Sequence, residues 1–357
     1  MPGLTPSPSA SPPHDLPSGA VARPASLILS DILAPPRPKP PSVKPTRPET
    51  VLHPIAAAPL RIAIAIATAG RPACVAELLK RIAGQERAPD AIVVCGPAPS
   101  DVAGIAERFP AARVIIGRRG LACQRNAILA ELRELDVAVF LDDDFVPGPG
   151  YLAGIEAALL RHPDIVMATG HVLADGICGP GFDFAHADSV LRADAGLGPD
   201  RDHVEDAYSG YGCNMAVRLA PVRRHGLAFD EALPLYAWLE DVDFSRQIAR
   251  HGRVVKLPAS RGVHLGIKSG RQSGLRLGYS QIANPIHLLR KGTCSYRKAL
   301  HLMGRNVAAN LARCARPEPY VDRPGRCLGN LRALLDLVTG RLNPRRILSF
   351  EPLRVRR

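Results

Sequence analysis

Paired cysteines are missing from this chain. Its eight cysteines (Cys74, Cys95, Cys123, Cys178, Cys213, Cys294, Cys314 and Cys327) include no two at C-x-x-C spacing, so they read as free thiols in a reducing compartment. Long apolar runs are missing too. No stretch of about 18 apolar residues occurs, which argues against a helix that crosses a bilayer. The opening residues also lack the basic and then apolar order of a secretory leader, so the expected location is cytoplasmic. Carboxylates become scarce where basic residues crowd. The net charge of +13 divides into +2 for residues 1–58, −4 for residues 59–267 and +15 for residues 268–357, where 19 Lys/Arg face 4 Asp/Glu. That distribution argues against a generally basic nucleic-acid-binding body, and no nucleic-acid partner is expected. It points to a C-terminal segment that meets anionic lipid, an anionic acceptor or another acidic surface. No internal repeat is visible.

What remains is enough for a sizeable core: 357 residues, 46 % of them hydrophobic. Residues 1–58 are rich in Pro, Ser and Ala, and stretches such as "APPRPKPPSVKP" form neither a helix nor a sheet ladder. This segment reads as a disordered or polyproline-like arm, with a docking ligand for a partner domain as the functional alternative. At Arg61 the texture changes. "RIAIAIAT", "AIVVCG", "ARVIIG", "VAVFLD" and "DIVMATG" read as buried strands and alternate with helical stretches near 73–84, 121–135 and 150–161, the pattern of an α/β fold with a mostly parallel, Rossmann-like sheet. Residues 171–209 read as a long irregular connection. "YGCNMAVR" follows, then a helix near 238–251 and two short strands, "RVVKLP" and "RGVHLG". Residues 268–357 read as a basic, helical extension.

In such sheets, ligands sit at the carboxyl ends of the strands. One of these ends carries three carboxylates in a row, Asp142, Asp143 and Asp144 in "FLDDDFVP". At about 4 Å and an effective dielectric of about 20, each close pair repels by roughly 4 kcal/mol, so positive charge must offset them. Alternation along a strand sends Asp142 and Asp144 to one side and Asp143 to the other. Two oxygen donors set this way suit Mg²⁺ or Mn²⁺; a polar turn that caps the next helix is the plainer reading. A second acidic group, Glu240, Asp241 and Asp243 in "WLEDVDFSRQI", stands at a helix start. Capping and dipole chemistry alone would explain it, but it also offers a carboxylate that binds no metal and can take a proton. "GRRGLACQRNAIL" brings Arg118, Arg119, Arg125 and Asn126 around a loop that enters a helix, a possible phosphate or ribose cradle or else solvated surface. His264 is a candidate metal ligand or phosphate contact, against the commoner structural role of a lone histidine.

Taken in order, "IAIATAGRP", "GLACQRNAIL", "VFLDDDFVP", "GCNMAVR" and "LEDVDFSRQI" resemble the family 2 glycosyltransferases, nucleotide-sugar-dependent enzymes of the GT-A fold, over residues 59–267. The resemblance implies an inverting transfer of a sugar from a nucleoside diphosphate sugar to an acceptor hydroxyl, on a sugar, lipid-linked or other acceptor, in bacterial surface polysaccharide or glycoconjugate synthesis. By position, it implies nucleotide-sugar contacts at Thr68, Arg71, Arg125, Asp142, Asp143 and Asn214. It places a Mg²⁺ or Mn²⁺ at Asp142 and Asp144 with His264 a further candidate, a general base at Asp241, and an acceptor-orienting role at Glu240. One departure stands out. Where the family has an acidic turn after the second strand, this chain has "VVCGPAPSD", and Asp101 is the candidate substitute.

The rival enzyme readings fit less well. A phosphotransferase with an aspartate nucleophile wants its acidic motif after the first strand, and nucleotidyl transfer needs a Gly-rich loop there; neither is present. The remaining alternative is a non-catalytic nucleotide-sugar-binding or assembly module. The basic extension resembles the helical tails of peripheral bacterial glycosyltransferases, and is expected either to lie on an anionic membrane or to pack as a lid on the catalytic domain.

Overall fold

A computed structural model describes residues 58–196, 202–268 and 273–350. The Pro-rich arm lies outside the described residues apart from Ala58, as do the last seven residues.

The repeating "IAIAIA" of the first strand, β1 (Ile62–Ala67), sets the layering. Strand side chains alternate between faces. Ile62, Ile64 and Ile66 therefore enter one core layer, with Val75, Leu78 and Ile82 of α1 (Pro72–Ile82), while Ala63 and Ala65 enter the other. α1 starts on a proline, which suits a first-turn position whose N–H has no helical partner. β2 (Ala91–Gly96), α2 (Ile105–Arg108), β3 (Ala112–Ile116), α3 (Leu121–Glu131) and β4 (Val137–Asp142) complete a parallel set in the order β3-β2-β1-β4.

Beyond β4 the sheet continues through β8 (Asn214–Arg218), β6 (Ile165–Asp175), β9 (Arg253–His264) and β5 (Phe145–Pro147), with β7 (Glu205–Asp206) also on β9. β8 is antiparallel to both β4 and β6, so β6 and β9 run with the first four strands, and only β5, β7 and β8 oppose them. The sheet is mostly parallel, as expected. α4 (Tyr151–Arg161), α5 (Phe184–Asp194), α6 (Leu219–His225) and α7 (Glu240–Ile248) complete this part.

Two local expectations change. The stretch read as irregular carries the end of β6, α5 and β7. The two short strands near 253 and 261 are one strand, β9, which shifts register against β6 between Gly170 and His171. A further shift between Val172 and Ala174 then leaves Asp175 as the register partner of His264.

The extension is helical: α8 (Gly274–Lys291), α9 (Tyr296–Cys314) and α10 (Arg323–Val338). It is docked rather than loose. Lys291 Nζ lies 2.7 Å from Asp243 Oδ2 and 2.8 Å from Asp230 Oδ2, and the Thr293 hydroxyl donates to Asp243 Oδ1 at 2.6 Å. α8 and α10 cross closely enough that a Cβ on Gly278 would fall 2.1 Å from the Arg326 carbonyl oxygen, so glycine is required there. Between these helices Asn310, Asn330 and Gln281 form a buried amide network. Among the described residues, no helix is long and apolar enough to cross a membrane.

Candidate active site

The three aspartates divide as strand alternation predicts, although β4 ends at Asp142 and the next two occupy a turn into β5. Asp142, Asp144 and His264 each offer one ligand atom within 4.8 Å of the others. Asp143 faces away and is fully buried. It accepts from the Thr68 hydroxyl at 2.6 Å and from Arg71 Nε at 3.1 Å, and pairs with Arg71 Nη2 at 2.5 Å. With no exposure it has no surface for a nucleotide. In place of the contact expected of it, Asp143 fixes Thr68 and Arg71 at the end of β1. Burial pushes its carboxyl up to about 7, against the pull of Arg71. Asp101 holds the same turn from its other side, accepting from the Gly70 N–H at 2.5 Å, where Gly70 has φ +72°.

His264 is buried between two carboxylates. Nδ1 is 2.8 Å from Asp175 Oδ1, and Nε2 is 3.7 Å from Asp144 Oδ1. Burial would lower its pKa, but the bonds to Asp144 and Asp175 outweigh that and raise it to about 10. Asp144, despite burial, is held below the usual carboxylate range by His264, Arg71 and the Ile267 N–H. The donor set of two carboxylates and one imidazole, its far nitrogen already oriented by Asp175, fits a Mn²⁺ or Mg²⁺ ion. Asp175 also accepts from the Tyr211 hydroxyl at 2.8 Å.

Arg125 connects this set to the second acidic motif. It is 2 % exposed; Nη1 lies 2.6 Å from Glu240 Oε1, and Nη2 donates to Asp142 Oδ1 at 3.0 Å and to the Gly212 carbonyl at 2.6 Å. The rings of Phe140 and Phe229 flank its guanidinium. The basic cradle expected around it does not assemble. Arg118 pairs with Glu231, and the Asn126 amide is spent on Phe229 and Glu231, outside the cavity wall. Glu240 likewise turns to Arg125, and burial raises its carboxyl to about 8 despite that partner. Its Oε1 holds Arg125, while Oε2 has no hydrogen-bond partner among the described residues and Glu240 itself lines the cavity. Asn214, expected to face sugar and acceptor, is fully buried. Its Oδ1 accepts from the Thr169 hydroxyl at 2.5 Å, and its amide donates to the Gly170 carbonyl at 3.3 Å.

Asp241 is placed differently. Its Oδ2 accepts from the Gly212 N–H at 3.0 Å and its Oδ1 from the Val242 N–H at 2.8 Å, and burial raises its pKa above the ordinary value. It lies in the first turn of α7 behind a strained approach: Leu235, Ala237 and Leu239 have φ of 59°, 51° and 74°. Each non-glycine residue in that region costs roughly 1 kcal/mol or more. The segment 236–239, Tyr236 and Trp238 among it, lines the cavity.

Asp142, His264 and Asp241 line one cavity of about 570 Å³ at the carboxyl end of the sheet, together with Tyr211, Trp238 and Lys298. Motif reading missed Asp175, Tyr211, Trp238 and Lys298. Asp175 lay in the stretch without periodicity, and Lys298 lies in the extension, outside every motif.

No protein-family model matches the chain, and no curated protein matches it in sequence. Solved structures do match in shape. TarS of S. aureus, residues 1–349 in complex with UDP-GlcNAc, superposes with a TM-score of 0.51 at 15 % identity, over 81 % of this chain and 83 % of that one. The fold is GT-A-like. A mannosyltransferase of Pyrobaculum calidifontis in complex with GDP-Man and Mn²⁺ covers 82 % of this chain and 86 % of its own, at 18 % identity and a TM-score of 0.46, too low to bear on the fold. At these identities the TarS likeness speaks to architecture alone, and the chemistry has to be argued from this chain's own residues.

Proposed function

We propose that this chain is an inverting, metal-dependent glycosyltransferase that moves a sugar from a nucleoside diphosphate sugar to an acceptor hydroxyl. The observation that carries the reading is the cavity itself, whose wall holds both Asp142 and His264 of the candidate cation site and the half-buried carboxylate Asp241, whose pKa is raised. Asp142, Asp144 and His264 would hold the divalent ion, Mg²⁺ or Mn²⁺. When bound, it supplies Lewis-acid neutralisation of charge on the diphosphate.

The protein's own part follows from geometry. The acceptor oxygen attacks the anomeric carbon and forms the new C–O bond. The bond from that carbon to the diphosphate oxygen breaks, its electron pair leaves with the diphosphate, and the acceptor proton passes to Asp241. A base placed this way contributes about 10²–10⁴-fold. Gly212 and Val242 N–H fix the carboxylate, and Arg125 with Glu240 ties its helix to the strand that carries Asp142. Arg71, partly exposed at the end of β1, is the nucleotide-side contact in this reading, with Thr68 and Asp101, both buried, shaping its turn. A non-catalytic binding module would have no use for a carboxylate of raised pKa on the same cavity wall as the cation site, which favours the enzyme.

The outer face of α10 supports a place at a membrane. This helix buries Gly325, Gly329, Asn330, Ala333 and Asp336 and leaves Leu331 54 %, Leu335 57 % and Val338 87 % exposed, the reverse of a helix that packs its apolar face inward. From Arg323 to Phe350 the only carboxylate is Asp336, buried, against six arginines. An apolar stripe in a mostly basic surround suits an anionic lipid surface, as in surface polysaccharide or glycoconjugate assembly on lipid-linked acceptors at the cytoplasmic face. Thermal stabilisation across a panel of UDP, GDP and dTDP sugars with Mn²⁺ tests the donor assignment. Stabilisation by one donor class only when Mn²⁺ is present supports it; none with any donor overturns it.

A further inference from the structure

The same cavity has a wall of opposite charge that the transfer chemistry leaves unused. Lys298, Leu302 and Arg305 line it from α9. Spaced by four and three residues, they share one helix face, and the backbone positions of the two cations are two turns, about 10.5 Å, apart along the axis. Lys298 Nζ is buried and, among the described residues, has no hydrogen-bond acceptor. It lies 4.5 Å from the centroid of the Tyr208 ring. The nearby carboxylate is Asp241, whose two oxygens are already held by the Gly212 and Val242 N–H groups. Burial lowers the Lys298 ammonium to about 8. Lys256, on the opposite strand wall, differs: it has a carboxylate near it, Glu205 Oε2 at 3.9 Å. A buried ammonium without an acceptor is costly unless a ligand brings one.

Position decides which ligand. The diphosphate of a donor belongs over Asp142, Asp144 and His264, whereas Lys298 stands with Asp241 and Tyr208, on the side from which an acceptor hydroxyl must arrive. We propose that Lys298, with Arg305 two turns on, binds an anionic group, phosphate or carboxylate, carried by the acceptor. The inference rests on the glycosyl-transfer reading for the word acceptor, but the anion site can be tested without turnover.

The experiment is calorimetric titration of the full chain in EDTA with glucose 6-phosphate, glucuronate and glucose. It is repeated on Lys298→Met, Lys298→Arg and Arg305→Met, with thermal midpoints confirming that each variant is folded. The expected result is that both anionic probes bind wild type about tenfold or more tightly than glucose, that Lys298→Met and Arg305→Met lose this preference, and that Lys298→Arg keeps it. Affinity for UDP or GDP with Mn²⁺ stays unchanged in Lys298→Met. Equal binding of the three probes, or anion binding that survives Lys298→Met, overturns the proposal. So does a parallel loss of nucleotide–Mn²⁺ affinity, which would give the lysine to the donor diphosphate. Failure of the glycosyl-transfer reading shows separately, as absence of donor turnover with the anion preference intact.

Discussion

Arg125 Nη1 lies 2.6 Å from Glu240 Oε1 in a site where both residues are almost fully buried. The pair joins the strand that ends in Asp142 to the helix that begins with Glu240 and Asp241. Removing Arg125 takes the donor from three acceptors, Glu240 Oε1, Asp142 Oδ1 and the Gly212 carbonyl, at a cost of about 3–5 kcal/mol in all. Arg125→Met is therefore expected to lose stability in that range in urea unfolding, and Glu240→Gln, which keeps a hydrogen-bond acceptor, to lose less. Equal, negligible losses would remove the pair from its positioning role.

His264 and Asp144 carry the metal assignment. His264→Ala and Asp144→Asn should each abolish the extra thermal stabilisation that Mn²⁺ gives to nucleotide binding, while Asp143→Asn should mainly lower stability by releasing Thr68 and Arg71. Thermal unfolding with UDP or GDP, with and without Mn²⁺, reads both effects.

These expectations show what the sequence could and could not reveal. The alternation of "IAIAIA" and the DDD triplet were legible because strand periodicity is local, and the separation of Asp143 from Asp142 and Asp144 followed from it. The roles of Arg125, Asn214 and Glu240 were not legible. A motif marks a position but does not name a side chain's partners: Arg125 and Glu240, both on the cavity wall, pair with each other, Arg125 also bonds β4 and the loop before β8, and Asn214 is buried against β6. Asp175 was invisible for a different reason: its pairing with His264 depends on a register shift between β6 and β9 that no periodicity records. Lys298 reaches the cavity only because α9 docks on the catalytic part.

That docking has a pH signature. His287 and Lys291 hold the Asp230 carboxyl below its usual range, the His287 bond being the larger influence. A depressed carboxylate contributes stability that is present above its unfolded value, about 3.9, and lost as pH falls through the folded value. Asp230→Asn should thus be less stable than wild type at pH 7, with the difference constant above about pH 5 and shrinking in acid. Chemical denaturation at pH 7, 5 and 3 measures it; a difference that grows in acid would contradict the assignment.

Leu331→Gln with Leu335→Gln tests the outer face of α10. Wild type should co-sediment with phosphatidylglycerol vesicles at low salt and much less with phosphatidylcholine vesicles. The double variant should lose binding while retaining its thermal midpoint, since both side chains are exposed. A change from dimer to monomer in the variant, without vesicle binding by wild type, would show that a second copy covers the face instead.

Asp241→Asn isolates the proposed base. The full chain should release nucleoside diphosphate from one class of nucleotide sugar, with Mn²⁺ required and an acceptor stimulating the release. In Asp241→Asn, acceptor-dependent release should fall by about 10²–10⁴-fold with nucleotide–Mn²⁺ affinity unchanged. Wild-type release by that variant, or no release from any nucleotide sugar by the wild-type chain with Mn²⁺ and acceptor present, would contradict the proposed role of Asp241.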